Sequence, residues 1–497
     1  MRCPPECRHL TPSRKLASLS EWVVRHPYWC LLAFAAILAT QISPHWFAMP
    51  DSLPYLSMAR SLAHGEGLRN LGREHWIYAP GYSVLVAPAF WVSDRPFLVL
   101  SATQWALGII YMLGVYAWTR LIRPESAIWV AALSVLGAAF WVVCRQTLSD
   151  AAFMATMAWT AWCCARMRSA SSARSLMLWA IPTLMGLAAL PIIRPAGVCL
   201  AAGFGVMMLL RVQRDRTATR WVALGIAAAI ATVALSGLVL LISRELTTAR
   251  AGNAPTNVGG FFAQLKSFSD TWISSIRLRI TDTGRVLIPG MFKAYDTRDT
   301  WLDPNLLLYV PITFMAIVGW FRVTVRTPDA LMLAVPFYVA LHLLWGLDQG
   351  ARYLVPMLPV LWIALWEVTN RWPEVRRIGA VLLIVAHLGV TLGYWLSREL
   401  PRGRAMAATE VVGDEMASHI RTSPGAVVCD TEAKMAGYWV SFVLDRPVDE
   451  RHISLDAEVP GDWLIVGVGM PVPPAFQVVH EAGSYRLLER SGRGPSP

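Results

Sequence analysis

The chain has 497 residues, of which 55% are hydrophobic and 15% charged, with a formal net charge of +11. So little charge over that length excludes an ordinary soluble protein and points to a polytopic membrane protein. The excess arginines are spread between apolar segments and not gathered in one patch, which argues against a nucleic-acid-binding role.

The eight cysteines give no disulfide framework: most lie in or beside apolar segments, and Cys3 with Cys7 has no histidines at zinc spacing. No metal site and no cofactor are read from these residues.

In chain order, residues 1–27 are basic (Arg2, Arg8, Arg14, Lys15, Arg25) and lack a cleavage pattern, so a cytoplasmic N-terminus with an uncleaved first span is expected. Apolar segments follow at Tyr28–Ile42, Phe97–Leu121, Ala127–Val143, Ala151–Met167, Leu176–Ile193, Ala196–Leu210, Trp221–Ile242, Leu306–Phe321, Ala330–Trp345, Tyr353–Val368 and Ile378–Leu396. At about twenty residues per crossing they predict about eleven transmembrane helices in an all-α membrane domain over residues 28–400.

Arginines concentrate in the connections that an inside N-terminus makes cytoplasmic. That bias places the long loops 43–96 and 243–304, and everything beyond Pro401, on the outer face. The expected location is therefore the inner (cytoplasmic) membrane, multi-pass, with an extracytoplasmic C-terminus.

The first outer loop opens with Asp51, just beyond the first apolar segment, where a charge is costly without a partner or a task. After it Leu53, Leu56, Ala59, Leu62 and Ala63 share one helical face, opposite Ser57, Arg60, Ser61 and His64, which predicts an interfacial helix lying in the headgroup layer. Asp51 is equally readable as the N-cap of that helix, and the two roles are compatible. Residues Ala79–Val92, interrupted by Pro80, Gly81 and Pro88, read as a second interfacial or re-entrant piece.

Three arginines run against the bias: Arg145 in CRQTLSD, Arg194 in PIIRPAG and Arg352 in LDQGARYLVPMLP. All lie at span ends on the outer side and suit a phosphate. Snorkelling to headgroups, or pairing with the nearby Asp150 or Asp348, is the plainer alternative for each.

The second outer loop contains FFAQLKSFSDTWISSIRLRI, which reads as an amphipathic surface helix. Beyond Pro401, residues 405–421 look helical, GAVVCD and DWLIVGVG look like buried strands, and FQVVHEAGSYRLLER reads as a hairpin turning at Ala482 and Gly483. A small extracytoplasmic α/β domain over residues 401–490 is expected, followed by a disordered tail at 491–497.

The order DSLPYLSMARSLAHGEGL, YAPGYSVLVAPAF, RQTLSDAAF, IIRPAG and ARYLVPMLP resembles that of GT-C class glycosyltransferases, the class of protein O-mannosyltransferases and aminoarabinose transferases. The resemblance implies a membrane enzyme of the cell envelope moving a sugar, a hexose or a pentose, from a polyprenyl-phosphate donor to a lipid, glycan or protein acceptor. It implies Asp51 and Asp150 as catalytic carboxylates. Arg352, Arg194, Arg145, Lys266 and Lys293 would face the donor phosphate, and Tyr55, Tyr82, Asp348 and Tyr353 would position substrate. The family's acidic pair is here Asp51 followed by Ser52, so a divalent cation at that position stays open. Polysaccharide or lipid export without chemistry, or transport, is the alternative class.

Overall fold

The computed structural model describes residues 12–74, 78–214, 273–289, 305–344, 350–421, 425–451 and 461–491. They fall into two compact units. The first comprises Met1–Gln41, Gln104–Cys144 and Ser149–Tyr394; the second comprises Ile42–Thr103, Arg145–Leu148 and Trp395–Pro497.

The first unit is helical. Its apolar segments become helices whose ends are set by proline and glycine: Pro27–Ala39 opens on a proline at its first position, Ala173–Ile193 is capped by the Ser172 hydroxyl, and Val198–Arg214 follows the short turn Pro195–Gly197. Among the described residues five helices are long and apolar enough to cross a membrane, namely Phe97–Ile122, Arg174–Ile193, Leu306–Arg326, Arg352–Arg371 and Pro373–Ser397. A sixth is reached if the bent pair Pro124–Leu136 and Ala138–Arg145 is one span. The chain is thus a multi-pass membrane protein, with fewer described spans of full length than the eleven expected. Trp221–Ile242 lies outside the described residues, and Pro27–Ala39, Pro195–Arg211 and Ala330–Leu343 are apolar but shorter.

The expected continuous span Ala127–Val143 is broken by 58°. Gly137 adopts an extended backbone (φ −75°, ψ 145°), ending one helix before Ala138 begins the next. Elsewhere small residues let helices approach closely. A Cβ on Gly319 would collide with the Ala364 backbone, and one on Gly203 with Ala330 and Ala334. These contacts pack Leu306–Arg326 on Leu358–Val368, and Val198–Arg214 on Ala330–Leu344.

From the second long loop the helix over residues 273–287 is described. Within the stretch expected as a surface helix, residues 273–280 are helical and exposed or half-buried. The helix then runs on past Ile280 into Thr281, Asp282, Thr283, Val286 and Leu287, which are buried, and Arg279 pairs with Asp282 at 3.1 Å.

The second unit joins the first loop to the C-terminal region. Strands β1 (Arg69–Asn70) and β2 (Arg73–Glu74) form a small antiparallel pair. The main sheet contains β3 (Val427–Asp430), β4 (Val448–Arg451), β5 (Trp463–Gly467), β6 (Phe476–Ala482) and β7 (Tyr485–Arg490) in the order β4-β3-β5-β7-β6. β3 runs parallel to β4 and β5, whereas β7 runs antiparallel to β5 and β6. Val427, Cys429, Ile465 and Leu487 form one face with Val412, Met416 and Ile420 from helix Leu400–Ile420 and Ala436 and Val440 from helix Lys434–Leu444. Burial holds the Cys429 thiol well above its usual range.

Helix Ser52–Ala63 corrects the expectation of an interfacial helix lying in the headgroup layer. Nearly every residue from Ser52 to Ser61 is buried, polar ones included. Its polar face is covered by the C-terminal region: Arg60 donates to the Asp445 carboxylate at 2.7 Å and the Phe442 carbonyl at 2.8 Å, and its guanidinium lies 4.4 Å from the Phe442 ring. Ser57 donates to Asp445 and accepts from the Leu71 N–H. The segment Gly81–Trp91 buries Tyr82, Ser83, Val86 and Phe90 but exposes Val84, Leu85 and Trp91.

Candidate functional site

The second unit carries Asp51. Asp51 stands at the N-cap position of helix Ser52–Ala63, yet its side chain makes no cap hydrogen bond. The turn is closed instead by the Ser52 hydroxyl, which donates to the Met49 carbonyl and accepts from the Met49 N–H, both at 2.8 Å. Asp51 Oδ1 accepts from the Tyr78 hydroxyl at 3.2 Å.

Tyr78 is held by aromatic edges. Its ring meets Tyr55 at 5.2 Å, and Tyr55 meets Tyr82 at 5.4 Å, both edge-on. Tyr55 and Tyr82 are themselves buried, and the Ser83 hydroxyl fixes the Tyr55 carbonyl at 2.9 Å. These two, expected to position substrate, are thus brought together with Tyr78. Arg145 belongs to this unit as well, its guanidinium 3.4 Å from the centre of the Phe47 ring.

The C-terminal region adds a group that the sequence does not reveal. Tyr438, on the helix that packs along Ser52–Ala63, donates its hydroxyl to Glu450 Oε2 at 2.8 Å. Burial, then the Glu450 carboxylate, and more weakly Cys429 and Asp51, hold its phenol well above its usual range. Tyr438, Phe442 and Asp445 recur at helical spacing, so one face of helix Lys434–Leu444 carries this phenol together with the anchor to Arg60.

The first unit carries a separate cluster of arginines. Asp150 opens helix Asp150–Ser169 and is buried in an ion pair with Arg194, whose side chain is 11% exposed. Arg194 ends helix Ala173–Ile193 because Pro195 follows, and its guanidinium lies 4.5 Å from the Tyr353 ring. Arg352 flanks the same ring at 5.5 Å. Tyr353 sits in the 3-10 turn Gly350–Met357, its carbonyl accepting from Tyr338 at 2.6 Å and its ring packed on His342 at 4.7 Å. Asp150, Arg194, Tyr353 and Arg352 thus form one cluster, in which two guanidiniums share one aromatic ring and one of them is neutralised by a carboxylate.

Lys266, Lys293 and Asp348 lie outside the described residues. Among the described residues no group of three or more histidine, cysteine or acidic side chains has the geometry to hold a metal ion.

No family model and no curated protein matches the chain. Solved structures do. The crystal structure of ArnT from Cupriavidus metallidurans bound to undecaprenyl phosphate is 12% identical, with 96% of this chain and 100% of that one aligned at a TM-score of 0.55. The oligosaccharyltransferase of Archaeoglobus fulgidus in complex with zinc and sulfate is 15% identical, covering 88% and 68% of the two chains at 0.52. The AglB structure from that organism, with an inhibitory peptide and a dolichol-phosphate, is 12% identical, covering 90% and 70% at 0.51. The chain has the fold of these two glycosyltransferases, which is the GT-C fold.

Proposed function

We propose that this chain is a membrane glycosyltransferase that moves a sugar from a polyprenyl-phosphate carrier to a hydroxyl-bearing lipid, glycan or protein acceptor on the outer face of the cytoplasmic membrane. The observation that carries the reading is the Asp51 carboxylate, which occupies a cap position without capping and is oriented by a phenol. A carboxylate held in this way suits proton transfer better than helix capping. The shared fold with ArnT and AglB supports the same class.

In the proposed reaction Asp51 takes the proton from the acceptor hydroxyl as its oxygen bonds to the anomeric carbon. The bond from that carbon to the phosphate oxygen breaks, and polyprenyl phosphate leaves with the electron pair. Phosphate is a weakly basic leaving group, so the step needs no general acid. Arg352, with Arg194 behind it, stabilises the charge that grows on the departing phosphate. Attack opposite the leaving group inverts the anomeric configuration.

The test is direct: purified protein is given polyprenyl-phosphate hexose and pentose, labelled in the sugar, with envelope lipids and glycans as acceptors. Transfer of label supports the reading. Movement of the labelled lipid across a vesicle membrane with no transfer to any acceptor would overturn it in favour of export.

A further inference from the structure

A surface cavity of about 330 Å³ lies in the first unit, where the amphipathic helix Pro12–Arg25 gives way to the apolar helix Pro27–Ala39. Arg25, His26, Tyr28, Trp29, Tyr116 and Arg120 line it. None of them belongs to the site described above.

Arg120 lies two residues before the end of helix Phe97–Ile122, and its Nη1 donates to the Tyr28 hydroxyl at 3.3 Å. The ends of two apolar helices therefore meet here. Tyr28 and Trp29 are 67% and 65% exposed, and Trp22, on the preceding helix, is 48% exposed. That is the placement of aromatic side chains that sit among lipid headgroups.

Because the Tyr28 oxygen already accepts from Arg120, its own hydrogen is directed to another acceptor. One nitrogen of Arg25 is tethered to Glu21 at 3.1 Å, which steadies the guanidinium while leaving its other donors for a ligand. Two guanidiniums, a phenol and an imidazole around one hollow are donors waiting for an anion. The flanking exposed indoles and the basic amphipathic helix add apolar surface at the same level, which a free anion would not use.

We propose that this cavity binds the phosphate of an anionic membrane phospholipid, with Arg25 and Arg120 on the phosphate oxygens, the Tyr28 hydroxyl as a third donor, and Trp29 against the glycerol and upper acyl chains. The site is independent of the glycosyltransferase reading.

Native mass spectrometry of the full-length protein in detergent tests it, with phosphatidylglycerol and phosphatidylcholine as probes and inorganic phosphate as competitor. Wild-type protein should retain phosphatidylglycerol in preference to phosphatidylcholine. Arg25→Gln and Arg120→Gln should each weaken that retention roughly fivefold, and Tyr28→Phe should weaken it less. Retention by the Arg25→Gln/Arg120→Gln double variant equal to wild type, or equal retention of the two lipids, would overturn the site. Inorganic phosphate that saturates the cavity and is not displaced by phosphatidylglycerol would overturn the lipid assignment. Thermal unfolding checks each variant's fold. Should the double variant not fold, Tyr28→Phe decides, with undiminished retention counting against the proposal.

Discussion

Tyr78 donates its hydroxyl to Asp51 across 3.2 Å, while the turn that Asp51 would otherwise cap is closed by Ser52. The carboxylate is thereby separated from the stability of its own helix. Asp51→Asn should leave the thermal unfolding temperature nearly unchanged and lower sugar transfer by on the order of a hundredfold to ten-thousandfold, the usual effect of losing a general base. Transfer near the wild-type rate would remove Asp51 from the chemistry. A milder loss confined to acceptor affinity would point to an acceptor that is already an anion.

Tyr438, in the C-terminal region, donates its hydroxyl to Glu450 at 2.8 Å. Tyr438→Phe keeps the ring and removes the hydroxyl. If the phenol positions the acceptor, the variant should raise the acceptor KM several-fold to about tenfold, the worth of one hydrogen bond in a partly exposed setting. The donor KM should stay put. Equal changes in both constants would make Tyr438 a packing residue.

Asp150 and Arg194 stabilise one another in a place where neither reaches much water, with side chains 3% and 11% exposed. Removing one leaves the other as a buried charge. Asp150→Ala should therefore cost about 3–5 kcal/mol, read as a large fall in unfolding temperature. A double Asp150→Leu/Arg194→Met variant should recover much of that stability and remain impaired in transfer. Recovery of both properties would show that the pair is structural and that Arg194 does not serve the donor.

Much of this architecture is legible in the sequence, and the exceptions share a cause. The apolar segments, the strands VVCD and WLIVG and the hairpin ending in YRLLER show up because burial there follows the chain's own periodicity. Helix Ser52–Ala63 misleads because its amphipathic pattern is real, but its polar side is covered by Asp445 and Phe442, which lie 385 and 382 residues away from Arg60 in the chain. Strand Val448–Arg451 is acidic and half exposed, so it carries no apolar alternation and escapes notice. Asp51, Asp150, Arg194 and Arg352 stand out as charges at the ends of apolar runs. Tyr78 and Tyr438 do not, because a phenol among thirteen tyrosines is marked only by what folding brings to it.

Gly319 tests the packing of the first unit. Its missing side chain lets helix Leu306–Arg326 lie against the Ala364 backbone, and a methyl group there has nowhere to go. Gly319→Ala should cost about 1–3 kcal/mol through overpacking, measured as loss of thermal stability in detergent. Gly379→Ala, where nothing lies within 4 Å of the added carbon, should be neutral or slightly stabilising and serves as the control.

Arg352 is the sharpest test of the arginine cluster. Its guanidinium flanks the Tyr353 ring, on which Arg194, ion-paired with Asp150, also rests. A guanidinium offers a planar fork to two phosphate oxygens and can rest on an aromatic ring, whereas a lysine presents a single compact charge. Arg352→Lys should keep the fold and the charge yet lower kcat/KM for the polyprenyl-phosphate donor by on the order of ten- to a hundredfold, less than full removal of such a donor would cost. Steady-state kinetics over a range of donor concentrations separates the outcomes. A raised donor KM with an unchanged acceptor KM places Arg352 on the donor phosphate, and wild-type turnover with wild-type donor affinity would take it out of the site.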